Sequence, residues 1–226
     1  MTRPNLASAA SGLVRLVAIM AALIFIPARS LAYWQAWLFL AVFLGCAGVV
    51  TGYLLRYDPA LYERRQRGGP GAETEPAQRL IMALASVGFA ALLVVPGLDR
   101  HGHWSRIPAW LSILGDLGII ASYLAIFWVF RVNSFAGATV ALHPEQTVIS
   151  TGPYAIVRHP MYAAGVVLLA LVPVTLGSWW GLLVLVPLVP VLAWRLLDEE
   201  RLLRANLAGY EAYCRSVRYR ILPGLW

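Results

Sequence analysis

The chain contains no lysine, and few of its residues carry a charge. Only 13% of the 226 residues are Asp, Glu, Lys or Arg, whereas 60% are hydrophobic. Soluble domains contain about 25% charged residues, so this composition argues against a soluble protein and favours a polytopic membrane protein. Five or six bilayer crossings would use most of the chain, which leaves room for one compact domain.

Residues that bind metals or form disulfides are also scarce. Cys46 lies inside an apolar run and Cys214 near the polar C-terminal end, so their predicted depths in a bilayer differ too much for a disulfide. Two thiols without neighbouring histidines do not make a zinc site. His101 and His103 lack an evident third ligand, so we predict no metal site.

The basic residues are eighteen arginines, which give a net charge of +7. They flank apolar runs instead of forming a stripe interleaved with aromatic residues, which argues against nucleic-acid binding. If the chain has six membrane segments, only Arg29, Arg100 and Arg106 lie on one side and the other fifteen arginines lie opposite. By the positive-inside rule, both termini and the arginine-rich side are cytoplasmic.

Six apolar runs approach the length that crosses a bilayer. We predict them at about 13–28, 31–55, 79–98, 108–130, 160–176 and 179–197. The last two runs are separated only by Gly177 and Ser178, so they form a helical hairpin whose halves need not both reach the far surface. The first run has the flanks of a signal peptide, but Arg15 within it and the closely following second run favour a retained span.

Several polar groups outside the C-terminal part have ordinary interpretations. The loop at 56–79 contains Gly68-Gly-Pro-Gly71, and we expect a solvated connector there in preference to a lid. Asp116 is expected to be a solvated residue at the boundary of its span, although an acid within a membrane segment can also be functional. The chain has no internal repeat, which argues against an inverted-repeat transporter.

A polar segment at residues 148–162 lies between two apolar runs. Its Gly152-Pro153 pair predicts a turn that presents Tyr154 at the membrane interface. Pro160 falls where the next apolar helix begins, so His159 lies at a helix N-terminus whose free amides attract a carboxylate or a phosphate.

A second polar group follows at the end of the hairpin. Arg195 and Glu199 are four residues apart and share a helix face, so they are either neighbours in one pocket or a simple ion pair. The acidic trio at 198–200 suits a cationic ligand, because anionic lipid headgroups do not attract acids. The hairpin would bring this end beside His159, and the resulting pocket could hold a zwitterionic amino-acid moiety.

The order of these segments resembles the isoprenylcysteine carboxyl methyltransferase family and, in its C-terminal half, the wider phospholipid methyltransferase group. The resemblance covers residues of about 115–226. It is carried by Asn133-Ser-Phe135, Ser150-Thr-Gly-Pro-Tyr154, Arg158-His-Pro-Met-Tyr162, Arg195, Glu199-Glu200, and Tyr210 and Tyr213 before Pro223. It implies an integral membrane enzyme that transfers a methyl group from S-adenosylmethionine.

The resemblance also implies roles for individual residues. Arg195 would reach the acceptor substrate, and we add Asn133 as a second substrate-binding residue. Independently of the resemblance, an amine acceptor would have to lose a proton, and Glu200 is the candidate base for that step. The cofactor would contact Gln146, Thr147, Val148, Ile149, Tyr154, His159, Pro160, Met161, Tyr162 and Glu199. The acceptor would be a lipophilic small molecule or a lipid from the bilayer, either an isoprenylcysteine-like carboxylate or a lipid amine.

We therefore predict an all-α integral membrane protein: a bundle of five to six transmembrane helices with a C-terminal helical hairpin and a cytoplasmic cofactor pocket. Within one structural domain, residues 1–110 supply the N-terminal transmembrane helices and residues 111–226 the methyltransferase-like catalytic half. The arginine-rich, lysine-free composition fits a bacterium with GC-rich codons, which predicts a bacterial inner-membrane location.

Two other functional classes remain open. The C-terminal series Asp198-Glu-Glu-Arg, Tyr210, Tyr213-Cys214 and Arg220-Ile-Leu-Pro223 also resembles the end of membrane sterol reductases, which use NADPH but are much longer. The other alternative is a non-enzymatic lipid-binding membrane protein, for which the polar residues would be dispensable.

Overall fold

The computed structural model describes residues 6–226, and within this range it contains helices and no strands. Arg3, which contributed to the predicted charge asymmetry, lies outside the described residues. The helices are α1 (Leu6–Ala28), α2 (Trp34–Tyr57), α3 (Pro59–Gln66), α4 (Pro76–Gly102), α5 (Ala109–Val132), α6 (Pro160–Thr175), α7 (Leu185–Asn206) and α8 (Tyr210–Ser216).

Five helical segments are long and apolar enough to cross a membrane: α1, α2, α4, α5 and the stretch Trp180–Asn206 that contains α7. Many large apolar side chains on their outer faces are exposed, including Val14, Val49, Val87 and Val186. Outward-facing apolar residues are what a lipid-exposed bundle requires. The all-α integral membrane fold predicted from composition is therefore confirmed.

The sixth segment, α6, has 16 residues and is about 24 Å long, which is shorter than the hydrocarbon core of a bilayer. The turn after α6 nevertheless reaches the start of α2 and the end of α4. The Tyr33 hydroxyl donates to the Leu176 carbonyl, and the Ser178 hydroxyl donates to the Asp99 carboxylate. Six segments thus run between two ends of the bundle. We name the end at residues 176–179 the hairpin end. The opposite end, where α5 ends and α6 begins, is the site end.

Small residues allow α5 and α6 to pack closely. A Cβ atom at Gly115 would lie 2.7 Å from Cγ2 of Thr175, and one at Gly118 would lie 2.6 Å from Cδ1 of Leu171. Close backbone approach is a common source of helix association in lipid, where burial of apolar surface offers little driving force. The close packing of α5 against α6 fixes the relative position of the chain segments that leave both helices at the site end.

The buried face of α5 also contains Asp116, which is only 3% exposed. The expectation of a solvated boundary residue was wrong for Asp116. Ser112, Gly115 and Ile119 are buried on the same helix face, which α5 turns towards the bundle interior. Neither carboxylate oxygen of Asp116 has a hydrogen-bond partner among the described residues.

The loop at 56–79 is more structured than the sequence indicated. Asp58 caps α3 by accepting a hydrogen bond from the Leu61 amide at 3.0 Å, and Pro59 occupies the first helical turn. A 3₁₀ turn follows at Pro70–Ala72. Glu73 is 2% exposed, so the expectation of a solvated connector was wrong for this residue.

Candidate functional site

A cavity of about 380 Å³ opens at the site end of the bundle, within the volume range of small-molecule sites. It lies between the loop after α5, the first turns of α6 and the last turns of α7. Eleven of the thirteen predicted site residues line the cavity: Asn133, Gln146, Thr147, Val148, Ile149, Tyr154, His159, Met161, Tyr162, Arg195 and Glu199. Pro160 and Glu200 do not line it.

The turn before α6 positions Tyr154. Gly152 has a φ of 60° and is the first residue of the 3₁₀ turn Gly152–Ala155. Asn133 Nδ2 donates to the Tyr154 hydroxyl at 2.7 Å, and the Tyr213 hydroxyl donates to the Tyr154 carbonyl at 2.7 Å. Burial raises the pKa of Tyr154 to about 12. The phenol is therefore neutral at physiological pH and is held from two sides.

The N-terminus of α6 faces the cavity without a side-chain cap. His159 is the N-cap residue, but its imidazole makes no capping hydrogen bond, and Pro160 occupies the first turn. Along α6, Ala163 is the first residue whose amide donates to a described main-chain carbonyl, that of His159 at 3.1 Å. Free amides at a helix start favour an anion.

A carboxylate from α7, that of Glu199, lines the same cavity. The Tyr162 hydroxyl donates to Glu199 Oε2 at 2.7 Å, so α6 and α7 meet through this pair. Among the described residues, Arg195 forms its ion pair with Glu73 and not with Glu199. The cavity thus combines an uncapped helix start with a carboxylate that has no cationic partner among the described residues.

Arg195 is held by groups from the N-terminal half. Its Nη2 donates to Glu73 Oε1 at 2.9 Å and to the Ala138 carbonyl at 2.8 Å, and its Nη1 donates to Gln78 Oε1 at 2.8 Å. Gln78 in turn donates to Asp198. These bonds fix the direction of the Arg195 guanidinium at the cavity wall, since it is 8% exposed.

Glu200 lies behind the cavity and is surrounded by cations. It accepts from Arg158 Nη2 at 3.2 Å, from Arg204 Nη2 at 2.8 Å and from Arg220 Nε at 2.8 Å. His159 Nε2 lies 3.5 Å from Glu200 Oε2. Three segments therefore meet at one carboxylate that is 2% exposed: the polar turn before α6, α7, and the chain that follows α8.

Arg65 on α3 also lines the cavity. Its Nη1 donates to the carbonyls of Ala136 at 3.2 Å and Gly137 at 3.3 Å, and its guanidinium carbon lies 4.7 Å from the centre of the Phe130 ring. Arg65, Glu73 and Gln78 were not predicted as site residues. Arg65 and Glu73 lay in a glycine-rich stretch, where their sequence neighbours offered no indication of burial.

The comparisons with known proteins agree with the C-terminal part of this arrangement. No curated protein gives a significant match to the chain. Residues 110–208 match the family model described as phospholipid methyltransferase. This segment includes α5, the polar turn, α6 and α7, and so all thirteen predicted site residues. The match confirms the predicted resemblance to the wider phospholipid methyltransferase group over residues 110–208.

Proposed function

We propose that this chain is an S-adenosylmethionine-dependent methyltransferase that methylates a lipophilic acceptor in the membrane. The observation that carries the proposal is the pairing of the uncapped α6 start with the Glu199 carboxylate in one cavity. The family match of residues 110–208 supports methyl transfer as the class of reaction.

The residues present fit the amino-acid moiety of the cofactor. The α6 start at His159 would receive its carboxylate, and Glu199, already oriented by Tyr162, would receive its ammonium group. The hydroxyl of Tyr210 is buried without a hydrogen-bond partner among the described residues and lines the same cavity. An orphaned hydroxyl in a ligand-sized cavity is a further polar contact for a bound molecule.

The chain has a limited chemical task in this reaction. When bound, S-adenosylmethionine supplies an electrophilic methyl carbon on a positively charged sulfur. The protein positions the acceptor and excludes water, which the apolar lining residues Val148, Leu192 and Leu203 support. Arg195, fixed by Glu73 and Gln78, would orient the acceptor at the cavity wall.

Glu200 has a different role in this proposal from the one that the sequence suggested. A general base must reach the proton that it removes, but Glu200 does not line the cavity and accepts hydrogen bonds from three arginines. We therefore assign Glu200 to positioning: it holds Arg158 and His159 in place. A carboxylate acceptor needs no base, and an amine acceptor would have to use another group.

The proposed orientation places both termini and the site at the cytoplasmic membrane surface, where a soluble cofactor is available. The arginine asymmetry supports this orientation. Labelling of a Ser150→Cys variant tests it, since Ser150 is exposed beside the cavity. A membrane-impermeant maleimide should label this thiol in inverted vesicles and leave it unlabelled in intact cells; the reverse pattern would contradict the orientation.

A cofactor titration tests the reaction class. The full chain in lipid nanodiscs should bind S-adenosylhomocysteine by calorimetry and show no binding of NADPH. Binding of NADPH alone would overturn the proposal in favour of the reductase class. Membranes that contain the purified protein, labelled methyl donor and native lipid extract should also yield a labelled lipophilic product. Binding of neither cofactor, with no product across a broad acceptor panel, would favour a non-enzymatic lipid-binding protein.

A further inference from the structure

Four large apolar side chains are exposed in a part of the chain that belongs to no membrane-spanning helix. They are Tyr219, Leu222, Leu225 and Trp226, with exposed fractions of 39%, 51%, 78% and 38%. All four follow α8, whereas the last segment able to span a membrane ends at Asn206. The lipid around the bundle therefore does not explain their exposure, and a group of exposed apolar side chains indicates a contact surface.

The sequence determines the turn that brings two of these side chains together. Pro223 and Gly224 are the central residues of a turn in which the Leu225 amide donates to the Leu222 carbonyl at 3.1 Å. Gly224 has a φ of 83°, and proline followed by a glycine with positive φ is the pattern of a type II turn. The Trp226 amide donates to the same carbonyl at 3.2 Å. Leu222 and Leu225 are therefore neighbours at the two ends of an ordered turn.

Hydrogen bonds hold this part of the chain beside the start of α6. The Arg158 amide donates to the Tyr219 carbonyl at 2.9 Å, and the His159 amide donates to the Arg220 carbonyl at 2.8 Å. α6 begins at the next residue, Pro160. The exposed apolar side chains are therefore attached at the level where an apolar helix enters the bundle, which corresponds to the interface between bilayer and water. Trp and Tyr side chains are enriched at that interface.

The same part of the chain carries positive charge without a neighbouring acid. Residues 212–226 contain three arginines and no Asp or Glu. Arg220 is paired with Glu200 at 2.8 Å. Arg215 and Arg218 are exposed, and neither forms an ion pair within the part of the chain that the structure describes. Unpaired arginines next to exposed apolar side chains match an anionic lipid surface, which attracts basic residues and accepts apolar ones.

Charge argues against a second copy of this chain as the partner. In a two-fold symmetric dimer the same patch of both subunits meets, so Arg215 and Arg218 would approach their own counterparts. Like charges brought together in this way oppose association. An anionic lipid surface offers the opposite charge, and each basic residue close to it strengthens the contact by roughly fivefold.

We propose that residues 215–226, the docking segment, bind an anionic lipid surface at the site end of the bundle. The exposed apolar side chains enter the headgroup region, and the guanidinium groups of Arg215 and Arg218 bind lipid phosphates. Because the main chain of the docking segment accepts hydrogen bonds from Arg158 and His159, docking also stabilises the α6 start in its ligand-binding position. This last step rests on the proposed function, which makes S-adenosylmethionine the ligand, whereas docking itself requires no cofactor.

A spin label on the docking segment of the full chain tests the contact. Leu225→Cys is labelled in a chain that carries Cys46→Ser and Cys214→Ser, in nanodiscs of phosphatidylcholine alone or mixed equally with phosphatidylglycerol. Collisions with oxygen report lipid, and collisions with a neutral nickel chelate report water. The ratio of oxygen to nickel collisions should be several-fold higher in the anionic nanodiscs. The control label, at Glu145→Cys in an exposed loop, should show no change.

Removing the two unpaired arginines tests the role of charge. Arg215→Gln combined with Arg218→Gln should lower the docking equilibrium constant in anionic nanodiscs by about twentyfold, since each arginine contributes roughly fivefold. Arg67→Gln combined with Arg131→Gln is the matched control, because it removes two exposed arginines elsewhere and should leave docking unchanged. A label that stays in water in both lipids, or equal losses in both double variants, would overturn the proposal. Dipolar coupling between labels of two chains would overturn it in favour of a second copy.

Affinity for S-adenosylhomocysteine tests the effect of docking on the site. It should be about fivefold higher in anionic than in neutral nanodiscs, at the low end of coupling between two sites. Arg215→Gln with Arg218→Gln should abolish this difference, and the control double variant should retain it. Equal affinities in both lipids, with the label docked, would overturn the coupling to α6. If the unmodified chain binds no S-adenosylhomocysteine in either lipid, the proposed function fails, and the label still decides whether the segment docks.

Discussion

Glu73 and Arg195 are 122 residues apart in sequence and form a buried ion pair, with Glu73 Oε1 at 2.9 Å from Arg195 Nη2. The same Glu73 carboxylate accepts from the Val140 amide through Oε2 at 3.3 Å. One side chain from the loop before α4 therefore positions both the arginine on α7 and the loop that follows α5. The N-terminal half is thus part of the candidate site and not only a membrane anchor.

Glu73→Gln should lower the free energy of unfolding in detergent by about 3 kcal/mol, because it removes the counter-charge of an arginine that remains buried. Denaturant unfolding of the purified chain measures the change. Glu75→Gln, on the same loop but exposed, is the control and should have no measurable effect. A loss of similar size in both variants would show that the ion pair is not the cause.

Glu199→Gln should reduce affinity for S-adenosylhomocysteine by about tenfold to a hundredfold, because a charge-assisted contact to the ligand ammonium is lost. Affinity for methylthioadenosine, which lacks the amino-acid moiety, should stay the same. Glu145→Gln is the control, since Glu145 is exposed and does not line the cavity. An equal loss for both ligands would indicate a distorted cavity and would contradict the assigned contact.

Gly152→Ala should strain the turn that presents Tyr154. The φ of 60° at Gly152 costs an L-residue about 1–2 kcal/mol, and the new Cβ would lie 3.2 Å from Cγ1 of Val132. We expect a lower free energy of unfolding and weaker cofactor binding. Gly71→Ala, at an open position without a positive φ, is the matched control. Unchanged cofactor affinity in Gly152→Ala would show that the conformation of this turn does not affect cofactor binding.

Glu200→Gln distinguishes positioning from base catalysis. If Glu200 holds the arginines, the variant should lose about 3–5 kcal/mol of folding free energy because Arg158 stays buried without a counter-charge. A second substitution, Arg158→Met, should recover part of that loss. A base role predicts the opposite outcome: a stable variant with normal cofactor affinity and a much lower kcat for an amine acceptor.

The membrane fold was largely predictable, because lipid solvation demands long apolar helices and their lengths are visible in the sequence. The predicted run at 108–130 corresponds to α5, Ala109–Val132. The short helices α3 and α8 were not predicted, since helices of 8 and 7 residues are shorter than the window in which periodicity is recognisable. Their positions depend on tertiary contacts such as the hydrogen bond from Tyr213 to Tyr154.

The site was predictable where it is local in sequence. Gly152-Pro153 and Pro160 indicated a turn and a helix start, and the structure has both at those positions. The partners of Arg195 were not predictable, because the sequence gives no register between the 56–79 loop and α7. Helical spacing made Glu199 a possible ion-pair partner of Arg195. Spacing alone does not determine which of several acids forms the pair, and in the structure the partner is Glu73.

The division of the Arg195 contacts between two halves of the chain has a consequence for chimeric proteins. Glu73 and Gln78 lie outside residues 110–208, so a segment of that length transplanted into a foreign N-terminal half would contain an arginine that has lost both of its side-chain acceptors. Functional exchange between relatives would therefore require the recipient to supply an acid and an amide at matching positions. Under the proposed function, changes in the N-terminal half alone would then be enough to alter acceptor preference, while the proposed cofactor-binding residues stay constant.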